Sequence, residues 1–334
     1  MFERIRFKNF KALKDTEVKL GPFNVVVGPN GSGKSSLLQA FEVLANPNHH
    51  SQRTLTTLGS GAKQFSVGVK LQVVNHGCWS SLVVADRSAS WHFEDTNAAQ
   101  LKGLEVERMT RCFASARVYA LEPANMSRAV QFSEVRELSR SGNNLTGTLS
   151  YIQDQDDGSY GRLRDEMHRW LPEFDGIIFK NDDNGNRSLH LRQTGTKAQI
   201  PATELSEGTL LALALLAIVH QPGAPTLIGL EEPDRGLHPR LLREVRDALY
   251  RISFPSDFGI KRQPVQVIVT THSPLFLDLF KDHPEQIIIS EKNPDGSATF
   301  KSLADDPQLQ EMIGDSPLGE VWYSGVLGGV PSLK

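Results

Sequence analysis

Residues 28–35 read Gly28-Pro29-Asn30-Gly31-Ser32-Gly33-Lys34-Ser35, and this run constrains the fold more than any other. Its glycines let the backbone curl so that successive N–H groups turn inward and form a nest for phosphate oxygens. A β-branched stretch, 24–27, precedes it, and helically spaced Leu37, Leu38, Phe41 and Leu44 follow it. Strand, loop and helix in that order bring the positive end of a helix to the mouth of the loop. The pattern G-x-x-x-x-G-K-[ST] therefore predicts a phosphate-binding loop with Asn30, Gly31, Ser32, Gly33, Lys34, Ser35 and Ser36 around a nucleotide. Lys34 is expected to reach the β- and γ-phosphates, and the Ser35 hydroxyl to ligate Mg²⁺.

The rest of the chain extends an α/β reading. Segments 65–74, 79–84 and 91–93 alternate as antiparallel strands, and 145–171 has helical spacing broken at 154–158. Asp182-Asp183-Asn184-Gly185-Asn186 lies between strand-like runs and predicts a hairpin. After Leu205 the pattern changes to apolar strands (226–230, 265–271, 286–290) alternating with helices (210–220, 241–252, 275–280), as in a mostly parallel sheet. With 334 residues, one large domain carrying insertions is expected: a strand-rich part at 64–95 and a helical lobe at 125–200.

Composition excludes several classes. A net charge of −3 gives no global signal for nucleic acid, and two cysteines, Cys78 and Cys112, make no disulfide framework and fit a reducing compartment. The longest apolar run, 210–219, is about half of the roughly 20 residues that span a bilayer. A cytoplasmic chain without direct membrane insertion is the expectation.

Three further segments carry chemistry. Strand 226–230 ends in Glu231-Glu232, whose side chains point to opposite faces and can divide the work. Glu231 is expected to hold Mg²⁺ and Glu232 to act as general base on the attacking water. Leu205-Ser206-Glu207-Gly208-Thr209 opens a helix, where Ser206 and the Gly208 backbone can donate to an anion. Thr270-Thr271-His272-Ser273-Pro274 ends another strand, at the edge where open α/β sheets bind ligands, and His272 is placed to contact the γ-phosphate. His238 is expected to be structural or interfacial.

Taken in order, these segments resemble the ABC-type ATPases: Walker A at 28–35, an LSEGT signature at 205–209, Walker B ending in Glu231-Glu232, a D-loop at 234–238 and a switch histidine, His272. The opening run Phe2-Glu3-Arg4-Ile5-Arg6-Phe7-Lys8-Asn9-Phe10-Lys11 resembles RecF, SMC and OLD-type proteins, as does the long spacing between Lys34 and Ser206. EEPDRGLHP and THSP are similar to stand-alone AAA-family ATPases that accompany OLD-like and defence proteins. The resemblance covers 1–45 and 200–290. It departs from the family at Glu231, where many relatives have Asp, and at the lid glutamine, for which Gln131 is the candidate.

The resemblance implies a P-loop NTPase head that binds ATP and Mg²⁺. It also implies a homodimer in which Ser206 and Gly208 of one chain act on the ATP of the other. A role in nucleic-acid maintenance or anti-phage defence follows, with nucleic acid and a separately encoded effector, a nuclease for example, as partners. The alternatives are a transporter ATPase subunit and a nucleotide-dependent scaffold that does not hydrolyse. The apolar stretch 318–331 reads as a tail packed on its own domain or as a docking surface for the effector.

Overall fold

The computed structural model describes residues 1–47, 55–57, 64–73, 76–85, 88–93, 103–131, 136–155, 158–305, 314 and 316–325. The chain opens with β1 (Phe2–Phe10), β2 (Leu13–Lys19), β3 (Phe23–Val27) and α1 (Lys34–Ala45). Next come β4 (Gln64–Val73), β5 (His76–Ala85), β6 (Ser88–Phe93), α2 (Gly103–Ala114) and β7 (Arg117–Tyr119). One-turn α3 (Pro123–Met126) and β8 (Val130–Gln131) lead to α4 (Leu145–Asp154) and α5 (Ser159–Trp170). Strands β9 (Phe174–Asn181), β10 (Asn186–Gln193) and β11 (Gln199–Pro201) precede α6 (Glu207–His220). The remainder is β12 (Leu227–Glu231), α7 (Pro239–Ser253), β13 (Gln266–Thr271), α8 (Pro274–Asp278), β14 (Ile287–Lys292), β15 (Ala298–Ser302) and α9 (Leu318–Tyr323).

The chain divides into two compact units. The first is Met1–Val118, Pro225–Glu232 and Ser253–Lys334; the second is Tyr119–Ala224 and Pro233–Ile252. The mixed α/β class expected from the sequence is the one adopted.

In the first unit a six-stranded sheet has the order β15-β14-β3-β13-β12-β7, and β14, β3, β13 and β12 run parallel. Their buried stretches are apolar nearly throughout, rich in Val, Ile and Leu, as strands covered on both faces require. Register decides where the chemistry falls. Val27 pairs with Thr271, and Thr270 with Glu231, so the carboxyl ends of three strands meet at one edge. An antiparallel sheet, β2-β1-β4-β5-β6, stands beside it. Helix α1 is buried at Lys34, Ser36, Leu37, Leu38, Ala40, Phe41, Val43 and Leu44, and its apolar face joins β1, β4 and the mixed sheet in one core. The Phe2 and Phe41 rings meet edge-on at 5.2 Å, and Phe10 meets Phe65 at 5.3 Å.

Strand β2 escaped the sequence reading because its buried face includes Thr16, which hides the apolar alternation; the Thr16 hydroxyl donates to Ala298 O at 2.8 Å. A further strand follows the one expected at 286–290. The turn Asn293-Pro294-Asp295-Gly296 returns the chain as β15, antiparallel to β14. Helix α2 was also unforeseen. Of the stretch 318–331, α9 packs on its own unit: Leu318 and Trp322 are buried, and Gly319 N–H donates to Asp278 Oδ1 at 2.7 Å. Tyr323 is 80% exposed, and 326–331 lie outside the described residues.

The second unit combines α4, α5, α6 and α7 with a small antiparallel sheet in which β10 pairs with β8, β9 and β11, so the expected helical lobe carries strands as well. The β9–β10 turn is the predicted hairpin. Asp182 Oδ1 accepts from the N–H groups of Asn184 and Asn186 at 2.9 and 2.8 Å, and Gly185 takes φ 78°. Helix α6 is buried on all sides from Thr209 to Val219. Its last residue, His220, meets Glu166 of α5 at 2.8 Å, and Arg251 of α7 binds the other carboxylate oxygen.

Candidate functional site

The first unit holds a cavity of about 680 Å³ at the carboxyl edge of its mixed sheet. The loop between β3 and α1 forms one wall, and Glu232, Thr270 and His272 form another. The loop follows the mixed sheet so closely that a side chain at position 28 would not fit: a Cβ on Gly28 would lie 2.2 Å from Ser290 Oγ and 2.3 Å from Ser290 O. Gly31 and Gly33 take φ of 75° and 92°, which bends the backbone as a phosphate nest requires. Gly33 caps α1 without a side-chain bond, and no acidic residue of the helix occupies its first turn, so its positive end faces the cavity.

Lys34 is buried, and its ammonium donates to the carbonyls of Gly28 and Pro29 at 2.8 and 2.9 Å. Burial lowers its pKa to about 8, with the Glu232 and Glu231 carboxylates opposing the shift. A cation held at the loop by two neutral carbonyls is suited to an incoming polyphosphate. The Ser35 hydroxyl donates to Glu231 Oε1, so two hard oxygen donors from distant segments stand together. A small divalent cation uses one or two such protein oxygens and takes the rest from phosphates and water. These residues fit Mg²⁺ and a nucleoside triphosphate.

Glu232 follows with φ 45°, and its N–H donates to Thr270 O at 3.0 Å. Its Oε1 lies 3.6 Å from His272 Nε2. Burial and the Lys34 charge hold His272 below its ordinary 6.5, against the pull of Glu232, so the imidazole is neutral at pH 7. A carboxylate and a neutral imidazole thus face the space next to Lys34.

Asn30, Gly31, Gly33, Lys34, Ser35, Ser36, Glu232 and His272 therefore line one cavity. Ser32 is turned away. Its hydroxyl meets Ser290 Oγ at 2.5 Å and, because Ser290 donates to Val27 O, Ser32 is the donor. Ser206 and Gly208 stand in the second unit, where Ser206 Oγ accepts from Thr209 N at 3.1 Å. A Cβ on Gly208 would lie 2.6 Å from Gly236 O, so the signature and D-loop segments pack against each other. Gln131 is exposed on β8 of the second unit, and His238 is exposed with its Nδ1 accepting from Arg240 N.

Sequence reasoning missed the far side of the cavity, formed by Lys11, Lys14, Thr56, Thr57 and Asp295, and it assigned no role to Thr270. Lys14 binds Asp295 at 2.8 Å, and with Ser297 it holds that carboxyl well below the usual range. Asn9 and Lys11, with φ of 55° and 51°, mark the β1–β2 turn that delivers these lysines. The asparagine in Lys8-Asn9-Phe10-Lys11 was the available signal, since asparagine tolerates such a turn.

Among the described residues no helix is long and apolar enough to cross a membrane. The family described as "AAA domain, putative AbiEii toxin, Type IV TA system" matches residues 87–278, more than half of the chain, and the family "AAA ATPase domain" matches residues 1–107. An OLD nuclease of Thermus scotoductus is 43% identical over 44 residues, 13% of this chain and 8% of that protein. The Septu protein PtuA of Bacillus mycoides is 21% identical over 319 residues, 90% of this chain and 42% of that protein. The chain thus spans less than half the length of these curated relatives. The SMC head domain from Thermotoga maritima overlays with a TM-score of 0.47 at 14% identity, covering 90% of this chain and 98% of that one. With its phosphate loop, paired carboxylates and His272 gathered on one sheet edge and the family model matching more than half of its length, the chain belongs to this AAA-domain family.

Proposed function

We propose that the chain binds ATP with Mg²⁺ in the cavity of its first unit and hydrolyses it, and that paired heads close and open with the nucleotide. The observation that carries this reading is the convergence of Lys34, Ser35, Glu231, Glu232 and His272, from three distant segments, on one sheet edge. Lys34 and the N–H groups at the start of α1 would hold the phosphates, and Ser35 and Glu231 would hold Mg²⁺, which offsets phosphate charge when bound. Glu232 would take a proton from the attacking water at its carboxylate. Neutral His272, beside it, would hydrogen-bond the γ-phosphate and register its loss.

The signature residues Ser206 and Gly208 are read as acting on the ATP of a second copy, which makes the working form a homodimer. The match along PtuA and the shorter match to an OLD nuclease support a role in defence or nucleic-acid maintenance, with a separately encoded effector and nucleic acid as partners. The cell compartment proposed is the cytoplasm. Light scattering on Glu232→Gln tests the pairing. The mass should double on adding Mg-ATP and stay that of one chain for Lys34→Ala. An unchanged mass for Glu232→Gln at saturating ATP would remove the dimer from the account.

A further inference from the structure

Glu232 holds its backbone in a conformation that few residues adopt. Its φ of 45° lies in the left-handed region, disfavoured for a residue with a Cβ and sustained only where neighbours impose it. Pro233, next in the chain, disfavours the right-handed helical alternative. The neighbour that imposes the turn is Thr270. Parallel pairing sets Glu231 against Thr270, and the Glu232 N–H then donates to two acceptors of that one residue, the carbonyl at 3.0 Å and Oγ1 at 3.3 Å. Thr270 is 1% exposed and lines the same cavity as Glu232. A buried threonine on a central strand could have been valine on packing grounds alone. Its hydroxyl is directed to the one backbone group that sets where the Glu232 carboxylate goes.

We propose that Thr270 is a positioning residue for hydrolysis: its hydroxyl fixes the left-handed backbone of Glu232 and so aims the carboxylate into the cavity. This rests on the reading of Glu232 as general base. Small errors in the placement of a reacting group are costly in rate, so loss of the hydroxyl acts on turnover rather than on nucleotide affinity.

The experiment compares Thr270→Val, Thr270→Ser, Glu232→Gln and the double variant Thr270→Val/Glu232→Gln in steady-state ATP hydrolysis and nucleotide binding. Valine keeps the branched shape and loses the hydroxyl; serine keeps the hydroxyl. Thr270→Val should lower kcat by about tenfold or more with KM for ATP within about twofold, and Thr270→Ser should recover most of the rate. The double variant should be no slower than Glu232→Gln alone, because a residue acting only through Glu232 adds nothing once the base is gone. Wild-type kcat in Thr270→Val overturns the proposal. So does an equal loss in the valine and serine variants, which would mark a packing effect. If Glu232→Gln itself turns over normally, the general-base reading falls instead, and that result is separate from either valine outcome.

Discussion

Ser35 and Glu231 are 196 positions apart in the chain and share a hydrogen bond, hydroxyl to carboxylate. Parallel pairing of β3, β13 and β12 ends all three strands at one edge, and the two oxygens meet there. Removing either donor should raise the Mg²⁺ concentration for half-maximal hydrolysis by about tenfold or more. Titration of Mg²⁺ against Ser35→Ala and Glu231→Ala, at fixed ATP, checks this.

Lys34 carries a pH dependence of its own. Burial sets its folded pKa at about 8, against 10.5 unfolded, so between these values the unfolded chain binds more protons. In the nucleotide-free protein this residue's penalty is fully present below pH 8 and is relieved as pH rises towards 10.5. Polyphosphate needs the charged form, so binding should take up a proton and weaken as pH rises through about 8. Calorimetry at pH 8.5 in two buffers of different ionisation enthalpy should show that uptake in wild type and little of it in Lys34→Arg.

The loop allows no side chain at Gly28. A Cβ there would lie 2.3 Å from the Ser290 carbonyl as well as against its hydroxyl, so trimming Ser290 cannot make room. Gly28→Ala should cost about 1–3 kcal/mol of stability and most nucleotide binding, and Gly28→Ala/Ser290→Gly should not recover either. Thermal melts and fluorescent-nucleotide titration give the two readouts.

Much of this was legible in the sequence where local chemistry fixes local structure. The glycines of 28–33, the Asp182–Gly185 turn and the paired carboxylates after β12 each state their geometry within a few residues. The rest depends on long-range register. Thr16 reads as a polar interruption until Ala298 is placed against it, and Thr270 reads as a strand filler until Glu232 is. Lys14 and Asp295 approach the cavity from hairpins 281 positions apart, a separation that no local pattern encodes.

The second unit should depend on Glu166. Burial alone would push its carboxyl up, but bonds and charge from His220 and Arg251 prevail and hold it below 4.5. A depressed carboxylate contributes stability above its unfolded pKa and loses it as pH falls through the folded one. Glu166→Ala takes the shared partner from the half-buried Arg251 and from His220 and should cost about 1–3 kcal/mol at pH 7. Denaturant melts of wild type should weaken below pH 4.5, and the variant should lose that part of the pH dependence.

The central claim is that ATP is hydrolysed in this cavity with Glu232 as the base, and single-turnover phosphate release tests it most directly. Wild type and Glu232→Gln are mixed with substoichiometric Mg-ATP, after binding by both has been verified. Wild type should release phosphate, and Glu232→Gln should bind as tightly yet release it at least about a hundredfold more slowly. Phosphate release by Glu232→Gln at the wild-type rate would contradict the account.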